Sequence, residues 1–78
     1  MKTRDAQKLS DKVVDLLKAE RIRQKTSMYR IGQDTELSKT AVTHIEKHRR
    51  RPTLVSLFIL SSYLGISLAD IIKQVEDK

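Results

Sequence analysis

The feature that most constrains the fold is an uncharged stretch, "PTLVSLFILSSYLGISLA", which runs from residue 52 to residue 69. A membrane-spanning helix needs about 20 mainly apolar residues. This stretch is shorter, contains four serines and is interrupted by Gly65. We therefore predict that it folds as two short buried helices separated at the glycine, and that it does not span a membrane.

The rest of the chain has the composition of a helical protein. Its 78 residues include one proline and two glycines, and no segment shows the alternation that is typical of a strand. A chain of this length forms one domain, residues 1–78. It contains no cysteine, which suits a cytoplasmic protein. Its first residues, "MKTRDAQKLSDK", lack the apolar core of a secretory signal.

Apolar residues recur at helical spacing in five segments. We predict helices at about 8–25, 28–34, 38–46, 53–63 and 67–76, with residues 1–7 either flexible or extending the first helix. The predicted fold is a compact all-α globule of five helices with short connections.

Residues with special backbone preferences mark the ends of these helices. Ser27, Ser38 and Ser67 stand where N-caps are expected. Gly65 stands where a helix ends in the left-handed conformation. Gly32 lies inside the second helix, where glycine costs about 1 kcal/mol relative to alanine, so we expect a close crossing with another helix at this point.

Positive charge is concentrated in the middle of the chain. The net charge is +6, and residues 38–51 contain five Lys or Arg residues against one acid, Glu46. A basic segment of this kind favours nucleic acid or another anionic surface as partner. Residues 49–51 are three consecutive arginines in the loop after the third predicted helix, where we expect at least one to contact phosphate.

The second and third predicted helices are joined by "TEL", an arrangement typical of a helix-turn-helix. In this motif the second helix lies in the major groove of DNA and its N-terminal side chains meet base edges. Ala41, Val42 and Ile45 form the predicted apolar face of that helix. The polar face, which carries the candidate base-reading residues, comprises Lys39, Thr40, Thr43 and His44.

With these motifs in register, residues 20–72 resemble the lambda-repressor-like helix-turn-helix family of Cro/CI-Xre type. "MYRIGQDTELSKTAVTHIE" is similar to the family's second helix, turn and third helix without a gap. "RRRPTLVSLFILSSYLGISLADII" is similar to its usual ending, in which Pro and Thr start the fourth helix and a Leu-Gly-Ile-Ser link opens the fifth. The resemblance covers about two thirds of the chain.

The resemblance implies double-stranded DNA as the partner and no cofactor. It implies that Gly32 is the small residue of the second helix, that Ile31, Leu37, Val42 and Ile45 face inward, and that Ser38 is both a cap and a phosphate contact. It also implies an ion pair between Arg21 and Glu46. The complete set of candidate phosphate contacts is Ser27, Ser38, Lys47, Arg49, Arg50 and Arg51.

Four positions depart from the family pattern. Glu36 in the turn and His48 after the third helix stand where glycine is favoured, so we expect either strain or a different turn geometry. Thr35 replaces an apolar residue. Met28 replaces a glutamine that contacts phosphate, which leaves that contact without its usual donor.

The C-terminal third contains more apolar residues than one small core readily absorbs, and some are expected to remain exposed for self-association. The candidates for this dimer interface are Leu60, Tyr63, Leu64, Leu68, Ile72 and Val75. A two-fold homodimer would present two recognition helices about 34 Å apart, matching a palindromic operator.

We predict that the protein is a sequence-specific DNA-binding transcriptional regulator. Its predicted mode of action is repression, by binding a palindromic operator as a homodimer. A DNA-binding antitoxin with a toxin as partner, and a restriction-system controller, remain open, as does a protein-interaction module that binds no DNA. An enzyme is not expected, because the chain has no nucleophile with an Asp/His pair and no phosphate-binding glycine loop. "HIEKH" lacks the spacing of a zinc-protease motif, and we expect no metal site.

Overall fold

Five helices build the structure, a computed structural model that describes residues 1–77. They are α1 (Thr3–Arg23), α2 (Met28–Asp34), α3 (Lys39–Glu46), α4 (Leu54–Tyr63) and α5 (Leu68–Glu76). Helix α1 contacts α3, α4 and α5, while α2 packs on α3. The all-α five-helix prediction is confirmed, and α2 and α3 form the helix-turn-helix.

Helix α1 begins at Thr3, five residues before its predicted start, so residues 3–7 extend the helix instead of being flexible. Lys2 provides no side-chain cap, but Asp5 lies in the first turn, where its negative charge favours the helix dipole. Leu9 packs against the core one turn later. The extension is one of the two alternatives expected for these residues, and its exact start was not predictable because no capping side chain marks it.

Three of the helices end in the same way, with a residue in the left-handed conformation. Lys25 has φ +57°, His48 has φ +59° and Gly65 has φ +71°. After each helix the backbone N–H groups of two successive residues return to carbonyls of the last turn; those of Gly65 and Ile66, for example, bond to Ser62 and Ser61. Of the two alternatives expected at these positions, His48 shows the strained conformation, whereas Glu36 has no positive φ and the turn there has a different geometry.

The core lies where α1 meets α4 and α5, and α2 and α3 each add one buried residue to it. Its buried members are Val13, Leu17, Ile31, Val42, Leu60, Leu64, Leu68, Ile71 and Val75. The uncharged stretch thus forms two helices, as predicted. Among residues 1–77 no single helix is long and apolar enough to span a membrane; α4 and α5 meet that criterion only together, with a bend of 112° between them.

The burial of α4 and α5 corrects the predicted dimer interface. Leu60, Leu64, Leu68 and Val75 are each only 5–6% exposed, because the long α1 covers the concave side of the bent helix pair. They belong to the core of the chain and are not available to a second copy. Tyr63 and Ile72, the other two candidates, are half-buried.

The end of the third helix is held to α1 by a bidentate ion pair. Arg21 Nε donates to Glu46 Oε2 at 2.6 Å, and Arg21 Nη2 donates to Glu46 Oε1 at 2.9 Å. The remaining guanidinium nitrogen donates to the Thr26 carbonyl at 3.0 Å. Both side chains are largely buried, with 13% and 6% of their surface exposed. One arginine therefore joins α1, the α1–α2 turn and α3.

Replacing Glu46 with alanine is expected to destabilise the fold severely. Arg21 would remain buried without its partner, which typically costs about 3–5 kcal/mol. At about 4–8 °C per kcal/mol for a domain of this size, the melting temperature should fall by more than about 10 °C. Circular dichroism during heating measures this shift. Glu76→Ala, which removes an exposed glutamate from α5, is the control; an equal shift in both variants would contradict a structural ion pair.

Replacing Lys25 with glycine is expected to stabilise the fold by roughly 1 kcal/mol, because a side chain in the left-handed region is strained. His48→Gly should gain less or lose stability, since it also removes the contacts of the His48 ring with Asp11 and Asp15. Thermal unfolding of both variants at one protein concentration tests this difference. Equal stabilisation would show that the histidine contacts contribute nothing.

Candidate nucleic-acid interface

The first turn of α3 is built by its cap. The Ser38 hydroxyl oxygen accepts from the Ala41 backbone N–H at 3.0 Å, which fixes where the helix begins. The side chains of Lys39 and Thr40 follow directly and are exposed. They stand at the positive end of the helix dipole, which favours a phosphate-rich ligand.

The four predicted base-reading residues share one face of α3, since 39 and 43, and 40 and 44, are one turn apart. Lys39 and Thr40 are exposed, whereas Thr43 and His44 are half-buried. The Thr43 hydroxyl lies 2.9 Å from the Lys39 carbonyl and 3.0 Å from Met28 Sδ. Its single hydrogen is thus used within the protein, which leaves the methyl group and a lone pair for a ligand.

Met28 occupies the position where the family resemblance implies a phosphate-contacting glutamine, and it packs against neighbouring side chains instead. Its side chain is half-buried, packs against the hydrophobic core and reaches Thr43. This contact sets the first turn of α2 beside the polar face of α3. A thioether has no hydrogen-bond donor, so Met28 cannot donate to a phosphate through its side chain and instead links the two helices.

The close crossing predicted at Gly32 is present. A Cβ added to Gly32 would lie 2.8 Å from the Lys39 backbone nitrogen, a distance that forces the helices apart. The intervening turn uses Thr35, whose hydroxyl donates to the Ile31 carbonyl at 2.7 Å and accepts from the Leu37 N–H at 3.1 Å. These bonds explain why a polar residue replaces the usual apolar one.

Ser27 caps α2 by accepting from the Arg30 N–H at 3.0 Å and is exposed. It shares a polar hollow of about 320 Å³ with Lys25 and Arg30. Sequence reasoning missed these two basic residues, although both lie within three positions of the capping serine. They add positive charge near the start of α2, where Arg30 Nε also lies 3.5 Å from Asp34 Oδ2.

The loop after α3 presents its basic residues to solvent. Lys47, Arg49, Arg50 and Arg51 are all exposed. The backbone N–H groups of Arg49 and Arg50 both bond to the His44 carbonyl, at 2.9 and 3.2 Å, so the backbone is ordered while the side chains remain outside. Among the described residues only Arg51 of these four approaches an acid, at 4.0 Å from Asp11 Oδ1.

His48 faces away from that surface and toward α1. Its Nδ1 lies 3.3 Å from Asp11 Oδ1 and its Nε2 lies 2.9 Å from Asp15 Oδ1. Sequence reasoning did not find this link, although Asp11 and Asp15 are one turn apart on one helix face. His44 and His48 therefore serve different surfaces. No group of three or more potential metal ligands occurs among residues 1–77.

Comparison with known proteins agrees with this geometry. A family model described as "Helix-turn-helix" matches residues 17–71, which is most of the chain. That family is a DNA-binding regulatory one and is not a family of enzymes. No curated protein and no solved structure matches the chain significantly. The matched span includes the whole of α2, α3 and α4 and the polar face described above. The chain belongs to the helix-turn-helix family of Cro/CI/Xre type and is a DNA-binding regulator.

Proposed function

We propose that this regulator is a repressor that binds a palindromic operator as a homodimer. The observation that carries the proposal is the polar face of α3, exposed at its first turn and continued by a loop of exposed basic side chains. The chain as a whole carries a charge of +6, which favours DNA as a partner. Bound over a promoter in the cytoplasm, such a dimer would block access of the polymerase.

Lys39 and Thr40 are proposed to make the first base contacts. A lysine ammonium donates to O6 and N7 of guanine, and a threonine methyl group packs on the thymine methyl. Thr43 offers mainly its methyl group, because its hydroxyl hydrogen is already used. His44 lies one turn beyond Thr40 and contacts a base through its ring.

Phosphate contacts are proposed for the residues on either side of that face. Ser27 and Ser38 stand at the starts of two helices, where free backbone N–H groups favour phosphate oxygens. Lys47, Arg49, Arg50 and Arg51 add charge at the other end of α3. These contacts set the position of the helix in the groove without reading sequence.

A DNA-binding antitoxin or a restriction-system controller would use the same surface, with repression of its own operon. A toxin or a restriction gene beside the coding sequence distinguishes these roles. A protein-interaction module would bind no DNA, so the DNA-binding experiment below distinguishes it from these three roles.

Removing the charge of Arg50 and Arg51 is expected to weaken binding to DNA of any sequence and to flatten its salt dependence. Each phosphate contact contributes about 0.9 to the slope of log K against log salt concentration. Arg50→Ala/Arg51→Ala should therefore lower the slope by about 0.9 for each arginine that contacts phosphate. Fluorescence anisotropy with a labelled duplex across a salt series measures it.

Lys12→Ala/Lys73→Ala is the charge-matched control. Both lysines are exposed, and they lie on α1 and α5, away from the α3 face, so this variant should keep the slope of the unmodified chain. An unchanged slope in the arginine variant would remove the arginines from the interface. If the unmodified chain is not retained on DNA even at low salt, the proposed function itself fails.

A further inference from the structure

Helix α4 is apolar on the side that faces away from the core as well as on the side that faces it. Leu54, Val55 and Phe58 are 62%, 69% and 56% exposed. They project in similar directions, because positions 54 and 58 are one turn apart and 55 lies next to them. We call these three residues the α4 face. No charged residue occurs between positions 52 and 69, so the face is not interrupted by charge.

A helix that is apolar on all sides is normally covered on all sides, and an apolar patch of this kind marks an interaction surface. The groove between α1 and α5 is a weaker candidate. Leu16, 36% exposed, is its most accessible large apolar residue, and charged residues of both helices, including Lys12, Asp15 and Asp70, line it. That groove is an ordinary solvated surface, whereas the α4 face is left uncovered.

We propose that the α4 face is the dimer interface and that it packs against the same face of a second copy, antiparallel about a two-fold axis. The proposal rests on the homodimer of the proposed function and names its surface. Self-association of one patch requires the patch to be complementary to itself. Beside the protruding leucine and phenylalanine lies a shallow hollow of about 520 Å³, lined by Val55, Ile59, Ser62 and Tyr63 among others. It can receive those side chains from the second copy.

The distribution of charge around the α4 face favours the antiparallel orientation. Asp34 and Glu36 border the hollow and form an acidic edge beside α4. The Tyr63 hydroxyl donates to Asp34 Oδ2 at 2.5 Å, which places Asp34 at the C-terminal end of α4. This hydrogen bond also raises the pKa of Tyr63. Arg30 Nε also lies 3.5 Å from Asp34 Oδ2, so Glu36 is the acid of this edge that pairs with no base among residues 1–77. Arg50 and Arg51 precede the N-terminus of α4. Antiparallel pairing sets the acidic edge of each copy against the basic loop of the other, whereas parallel pairing sets like charges together.

The small size of the face has a consequence for affinity. Helix α4 has ten residues and is about 15 Å long, so the interface is smaller than the roughly 800 Å² per partner of a standard complex. The dimer is therefore expected to dissociate at micromolar concentrations. The antiparallel arrangement also places the two loops that follow α3 at opposite ends of the helix pair, which separates the two recognition helices.

Sedimentation velocity of the full chain without DNA, over a range of micromolar concentrations, tests the surface. Phe58→Glu is expected to weaken dimerisation by roughly tenfold or more, the effect of losing one central apolar contact. Val55→Glu should act in the same direction. Ile22→Glu is the matched control, because Ile22 is 55% exposed, lies on α1 and undergoes the same change in charge. Circular dichroism confirms that each variant is folded.

Charge reversal tests the orientation. Glu36→Arg and Arg51→Glu should each weaken the dimer, and the double variant should recover most of the loss. A double variant that loses the sum of the two effects would overturn the antiparallel arrangement. Two results would overturn the assignment of the α4 face as the dimer interface. One is a chain that stays monomeric at every concentration, in which case the face would bind a partner of different sequence. The other is an Ile22→Glu variant whose dimer is weakened as much as that of Phe58→Glu. Because DNA is absent, these failures are distinct from a failure to bind DNA.

Discussion

The fold depends on the ion pair between Arg21 and Glu46. Helix α3 is only eight residues long and could not persist alone in water, so its position must come from tertiary contacts. Arg21 holds the carboxylate that ends this helix and, through its third nitrogen, the turn that leads into α2. One side chain on α1, the longest helix, therefore fixes the positions of both helices of the motif.

The remaining contacts fix α3 at both ends and so preorganise its polar face, which we propose contacts DNA. At its start, the absence of a side chain on Gly32 allows α2 to approach the backbone of Lys39. At its end, His48 adopts a strained left-handed backbone conformation, and its side chain contacts two aspartates of α1. A residue with a side chain thus stands where glycine would be easier, because the side chain provides a second link between α1 and the loop. Ordering these groups before binding lowers the entropy lost in the complex.

Local signals made much of this structure predictable from the sequence. The serine caps of α2, α3 and α5 and the glycine after α4 act through neighbouring backbone groups, so their positions were evident from the residues alone. The start of α1 was missed because Thr3 follows no capping side chain. The burial of Leu60 and Leu64 was missed because it depends on how α1 lies across the bend between α4 and α5. The contact of His48 with Asp11 joins residues 37 positions apart, and single-sequence patterns carry little information about such pairs.

Selection of bound duplexes from random DNA by the unmodified chain, at two salt concentrations, tests base reading and two-fold symmetry together. We expect an enriched palindrome whose half-sites are centred about 10 base pairs apart, one helical turn, and whose enrichment weakens as salt rises. Recovery of an asymmetric single half-site would contradict the two-fold arrangement, and recovery of no preferred sequence at either salt concentration would contradict base reading by the α3 face.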